Sequence, residues 1–149
     1  MKQFFIVVLL LCAMHAQSQA TTPTLKSILL EQLRTTHNVK DWFVPADSAI
    51  AGLTAEQAMW KDGSDNHSIA QLTTHMIFWN AQILSKFKGE KPEAFNGDNK
   101  ETFSGVDEKT WPETIQQLDK VLTEIEKAVE AADENKLKEW YSTIAHIGT

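Results

Sequence analysis

The sequence predicts an all-α fold with four helical segments. Three observations predict it. Apolar residues recur at three- and four-residue spacing through much of the 149-residue chain, which gives each helix one apolar face. No alternating apolar–polar run is long enough for a strand. Capping and breaking residues fall at the ends of the periodic stretches. A chain of this length supports one domain around a single core.

The first twenty residues read as an address. Lys2 gives a positive start, Phe4 to Met14 is an apolar run of signal-peptide length, and Ser18-Gln19-Ala20 offers a cut after Ala20. The run is too short and wrongly flanked for a transmembrane helix. An uncleaved N-terminal anchor is the alternative. Lipidation at Cys12 is disfavoured because Leu11 precedes it and the apolar run continues. The expectation is a signal peptide over 1–20 and an exported helical domain over 21–149, periplasmic or secreted, with no membrane contact after cleavage. Cys12 is the only cysteine, so the mature domain has no disulfide and no thiol nucleophile, and packing must hold it together, with or without a metal. Loss of Lys2 leaves 13 basic and 20 acidic residues, a net charge of 13 − 20 = −7. With Arg34 the single arginine, that charge argues against nucleic acid as a partner.

The first helix is expected to start near Thr24, with Leu25, Ile28, Leu29 and Leu33 on one face. It is expected to continue through His37, Trp42 and Phe43 until Pro45 kinks or ends it. Ala46 to Ile50 reads as its second half, closed by Gly52. Thr54 and Gln57 form a capping box for a short helical turn, and Asp62 to Asn66 is a turn cluster.

The second helix is predicted from about Ser68 to Lys88, with Ile69, Leu72, Met76, Ile83 and Phe87 as its stripe. Lys86 and Lys88 suit its last turn, and Gly89 stops it. Glu90 to Gly105 is a long polar connection, of a kind that often carries function. In the third helix Thr110 is the expected cap, Pro112 sits in the first turn, and Glu113 follows three after the cap. Ile115, Leu118, Val121, Leu122, Ile125 and Val129 form its stripe up to about Ala132. A fourth pattern begins around Leu137 or Trp140 and carries Tyr141, Ile144 and Ile147. It reaches Thr149 without a terminating signal. The expectation is that the natural sequence continues and that the last helix is cut short, a native end with a short docking tail being the alternative.

His75 is the main candidate for chemistry. It sits about 100° round from the middle of the second helix's stripe, beside Trp79. Two readings stand. One is a hydrogen-bonded packing residue, the commoner role of a lone helical histidine. The other is one nitrogen ligand of a zinc, nickel or ferrous ion held between helices. Phe78 and Trp79 occupy the positions where a partner ligand would lie on the same helix. His67 reads as a loop or first-turn residue that hydrogen-bonds locally. His37 reads as structural, although it could line the same cavity. His146 is a weak ligand candidate. Trp42, Trp60, Trp79, Trp111 and Trp140 read as core or interface packing. The acidic face of the third helix (Glu113, Asp119, Glu124, Glu126, Glu130) reads as solvated surface. No paired carboxylates, phosphate loop or activated serine or cysteine is recognisable.

His67-Ser68-Ile69 opening a helix, His75, Trp79 one turn later, Gly52-Leu53-Thr54 with Trp60 upstream, and Lys86 to Gly89 at the helix end together resemble the DinB-like domain family, over roughly Thr24 to Thr149. The resemblance implies an up-down-down-up four-helix bundle with a long crossover, and here a truncated fourth helix. It also implies a divalent metal bound by one histidine of the second helix and a histidine pair, i and i+4, on the fourth. His75 matches the first. The pair is missing, and it would open just beyond Ile144 to Thr149, which makes His146 a neighbour of the site, second-shell to the metal. A metal of zinc, nickel or iron type would therefore be incompletely held by this chain, since catalytic zinc needs about three protein ligands. The resemblance implies metal-dependent hydrolase or thiol-transferase chemistry on an unknown small-molecule substrate, by a metal that makes a nucleophile of bound water or thiol. Outside the cytosol, metal-bound hydroxide is the easier nucleophile to defend. The alternative is a non-catalytic helical binding or structural module. Bundles of this type often dimerise, and a homodimer is a further expectation.

Overall fold

The computed structural model describes residues 22–139. It contains α1 (Leu25–His37), α2 (Ala46–Ile50), α3 (Ala55–Met59), α4 (Ile69–Lys88), a 3-10 turn (Asn99–Thr102) and α5 (Thr110–Ala131). A last helical stretch covers 134–139, and no strand occurs among the described residues. The all-α expectation holds. None of these helices is long and apolar enough to cross a membrane. The signal segment and most of the fourth helical pattern, with Trp140 and His146, lie outside the described residues.

α1 opens on Thr24, whose side chain accepts from the Ser27 amide while Ser27 Oγ accepts from the Thr24 amide. It stops at His37, well before Trp42 and Phe43. Asn38 leaves helical geometry, with the Asn38 and Val39 amides both turning back to the Arg34 carbonyl. Pro45 does not kink α1. It stands extended, buried, as the cap of a separate α2, because proline needs no amide partner at a helix start and disfavours helix before it. The Thr54–Gln57 capping box opens α3 as expected.

Ser68 caps α4 in a reciprocal pair with Gln71, and Gly89 closes it at φ 76°, a left-handed conformation that glycine adopts without strain. The α4 stripe holds at Met76 and Phe87, which pack against the core, and fails at its other positions. Ala70 and Thr73 are buried, with Met76, Ile77 and Leu84 against the core, while Ile69, Leu72 and Ile83 are 40%, 46% and 43% exposed. α4 is apolar over most of its circumference, so a single-stripe reading cannot choose among its faces.

α5 is started by Asp107, not by the Thr110 side chain. Asp107 Oδ1 accepts from the Lys109 and Thr110 amides and the Thr110 hydroxyl, and Thr110 Oγ1 accepts from the Asp107 amide. These bonds, those from Thr110 foremost, hold the Asp107 carboxyl below its ordinary pKa. α5 packs on α4 and on α1, and its apolar face runs through two core clusters. Leu118, Val121, Leu122 and Trp111 meet Ile50, Ala58 and Ala70. Ile125 and Val129 meet Leu30 and Leu137, and Leu84 touches both clusters. Trp111 is buried and donates Nε1–H to the Leu53 carbonyl. The expectation that every tryptophan packs does not hold: Trp42 is 86% and Trp60 70% exposed.

Candidate functional site

Two histidine centres stand on opposite kinds of ground. His75 lies on α4 under the long connection. That connection is laced to the outer face of α4. Gln82 donates to the Glu93 carbonyl, Trp79 Nε1–H donates to Asn99 Oδ1, Thr74 donates to the Ser104 carbonyl, and Phe95 packs edge-on against Phe78. The 3-10 turn places Thr102, which is 5% exposed, with Oγ1 2.6 Å from His75 Nδ1. The next residue, Phe103, stacks on the His75 ring with centroids 3.9 Å apart and planes within 7°.

His67 covers the other face of Phe103, at 3.7 Å and 4°. The result is a three-ring stack, His67–Phe103–His75, that pins the connection to the start of α4. His67 is a loop residue, as expected, but its contact is this stack with a residue far along the chain and not a local hydrogen bond. Trp79 meets His75 edge-on and is 37% exposed.

The proton on His75 can be placed by counting donors. Thr102 has one hydroxyl proton, and Oγ1 lies 2.6 Å from the Asn99 carbonyl. A carbonyl only accepts, so the hydroxyl proton is spent there. Thr102 Oγ1 must then accept from His75, which puts the ring proton on Nδ1. In the neutral ring Nε2 is left with a bare lone pair, and it has no hydrogen-bond partner among the described residues. That is the arrangement in which an outer hydrogen bond orients a metal-ligating histidine. A cavity of about 460 Å³ lies alongside. Thr102 lines it with Thr74, Phe78, Phe95, Glu101 and Thr114, and His75 itself does not.

The second centre surrounds His37, at the last position of α1 and 1% exposed. Nδ1 lies 2.6 Å from Glu126 Oε1, with the Asn38 side-chain nitrogen Nδ2 flanking it at 3.2 Å. Nε2 lies 3.1 Å from Asp119 Oδ1 and 3.6 Å from Asp47 Oδ2. The donor atoms of His37, Asp47 and Asp119 all fall within 4.8 Å of one another, a grouping able to hold a metal ion. Burial raises the Asp47 pKa above its ordinary value. His37 opposes that shift, while Asp119 and Glu126 reinforce it. Arg34 reaches Glu126 at 3.8 Å and Glu130 at 3.5 Å.

His37 and His75 share no partner, so the two do not line one cavity. The acidic face of α5 is not wholly solvated either. Glu126 is 16% exposed at its side chain and closes on His37 together with Asp119. The sequence carried a signal for this. Residues 119 and 126 are two turns apart and fall within about 20° of one face, opposite a histidine at a helix end. Asp47 could not be found that way, because the break at Asn38 and the turn to Pro45 decide where it lands. Thr102 and Phe103 belong to a connection without periodicity.

A sequence profile described as the DinB superfamily matches residues 46–145. No curated protein and no solved structure matches the chain.

Proposed function

The chain belongs to the DinB superfamily, and on that premise we propose that it is an exported, divalent-metal-binding bundle domain in which His75 Nε2 is a ligand. The observation that carries the reading is the fixed tautomer of His75. Thr102 takes the Nδ1 proton, and the opposite nitrogen keeps its lone pair. An imidazole of this kind suits zinc, nickel or iron. His75 supplies one donor among the described residues, and the family implies further histidine ligands beside it, with His146 as a neighbour.

When bound, such a metal lowers the pKa of a coordinated water or thiol and so supplies a nucleophile, which makes a hydrolase or thiol transferase the reaction class. The chain's own part is to hold the ligand. Thr102 fixes the tautomer, Phe103 fixes the ring plane, and Trp79, tied to Asn99, ties down the 3-10 turn. The cavity beside Thr102 is large enough for a small organic substrate, with Glu101 and Thr114 as polar contacts and Phe78 and Phe95 as apolar walls. Export rests on the apolar run from Phe4 to Met14 and the Ser18-Gln19-Ala20 sequence.

The test is metal content per chain in the full-length natural protein and its His75→Ala variant. The variant is expected to lose one equivalent of zinc, nickel or iron. Equal content in the two would remove His75 from the site. It would favour a second reading, a non-catalytic binding module, for which the face-on packing of His75 against Phe103 speaks directly.

A further inference from the structure

We propose that His37, Asp47 and Asp119 form a second divalent-cation site, with Glu126 as the group that orients the histidine, independent of His75. The argument begins with protons. Glu126 is acceptor-only when ionised, so the 2.6 Å contact places a proton on His37 Nδ1. A neutral ring then has a lone pair on Nε2, and that lone pair faces two carboxylate oxygens, at 3.1 and 3.6 Å. Three electron-rich atoms cannot face one another around a ring that is 1% exposed without a positive charge between them.

A proton or a metal ion can supply it. Asp47, Asp119 and Glu126 carry three negative charges, one of them offset in part by Arg34, 3.8 Å from Glu126. An imidazolium proton cancels one and a divalent ion cancels two. The contact at 3.1 Å fits an ion as it stands, the one at 3.6 Å lies just beyond, and all three donor atoms fall within 4.8 Å of one another. Metal–ligand bonds of about 2.0–2.2 Å set neighbouring donor atoms about 3.0–3.5 Å apart for right-angle to tetrahedral geometry. The donors here are one imidazole nitrogen and two carboxylate oxygens, a set for zinc or manganese with room for water. Glu126 on Nδ1 completes the carboxylate–histidine–metal pattern. Access exists as well. The His37 ring is sealed, but the Asp119 and Asp47 side chains are 58% and 36% exposed. The site joins the end of α1, the start of α2 and the middle of α5, and so would bind the segment before α2 to the bundle.

Zinc titrated into the full-length protein carrying His75→Ala tests this, by calorimetry and thermal unfolding. One zinc per chain is expected, with a raised midpoint. Glu126→Gln in that background is expected to weaken zinc binding about 10- to 100-fold, and Asp47→Asn or Asp119→Asn to weaken it further. Nitrogen-15 spectra of the unaltered protein read His37 directly and need no variant to fold. Zinc is expected to take the Nε2 position while the Nδ1 proton toward Glu126 persists. No zinc bound by the His75→Ala protein, unchanged binding in both aspartate variants, or a His37 ring that keeps both protons under saturating zinc would overturn the proposal and leave an imidazolium bridge.

Discussion

Replacing Thr102 by valine removes one hydroxyl and tests the whole account of His75. The side chain is 5% exposed and joins His75 Nδ1 to the Asn99 carbonyl through two bonds of 2.6 Å each. Valine keeps the shape and strands both groups. A buried donor left without its acceptor costs about 1–3 kcal/mol. Asn99 is exposed and His75 half-buried, so water recovers part of this and the lower half of the range applies. For a chain of about 150 residues each kcal/mol moves the unfolding midpoint by about 2–4 °C, which gives a fall of about 2–8 °C. The functional effect is separate. Without Thr102 nothing prefers the Nδ1–H tautomer, and metal affinity at His75 is expected to fall about 10- to 100-fold. Thr102→Ser restores the hydroxyl and should restore affinity even where stability is not fully recovered. The assay is nitrogen-15 NMR of the His75 ring at a pH where it is neutral, with calorimetric metal titration on the same samples. A ring proton found on Nε2 in the unaltered protein refutes the reasoning, as does unchanged affinity in Thr102→Val.

The metal-free protein should show an unusual contribution from Asp47. Its pKa is raised above 3.8 by burial, with Asp119 and Glu126 adding to the rise, so the folded chain holds that proton more tightly than the unfolded chain. By linkage this group's contribution to stability is present at low pH and is lost as pH rises from 3.8 through the folded value. Asp47→Asn, unfolded by urea in the presence of a chelator, should therefore remove that decline and be at least as stable as the parent at neutral pH. A clear loss of stability there would show that Asp47 is net favourable in the metal-free state. In the core, Leu118 is 1% exposed and lies in the cluster shared with Ala70 and Trp111. Leu118→Ala should cost about 3–5 kcal/mol by urea denaturation. A cost under about 1 kcal/mol would mean that the interface between α4 and α5 is loosely packed.

What the sequence revealed follows from how local each feature is. The Thr54 capping box, the helix start at Ser68 and the Gly89 stop are written within four residues, and all three hold. The start of α5 near Thr110 holds, but its cap differs because two capping residues, Asp107 and Thr110, stand three apart, and the earlier one takes the amides. The face of α4 was misread in part because eleven apolar positions on twenty residues leave no single stripe to select. His75 was legible because a polar ring on an apolar helix is conspicuous. Its partners were not, because Thr102 and Phe103 arrive through a connection whose only regular element is one 3-10 turn. His37 reads as structural and is buried, but its partners were not legible either. Its three carboxylates come from two helices that the sequence presents as the second half of the first helix and a solvated face.

The two histidines illustrate how one ring can be prepared for different ends by its neighbours. His75 is met by a hydroxyl whose own proton is already given away, so the ring donates from Nδ1, is oriented, and has no partner at Nε2 among the described residues. His37 is met by carboxylates at both nitrogens, so the ring is closed and some positive charge must accompany it. A cation at the first centre would be exchangeable, since its loss leaves no like charges facing one another at His75. A cation at the second would be structural, since removing it leaves Asp47, Asp119 and Glu126 repelling one another across α2 and α5. The distinction makes a kinetic expectation. Chelation should strip metal from His75 quickly with little change in unfolding midpoint, whereas metal at His37 should leave slowly and lower the midpoint as it goes. A single fast phase of metal release without a stability change would remove the second centre and leave the first untouched.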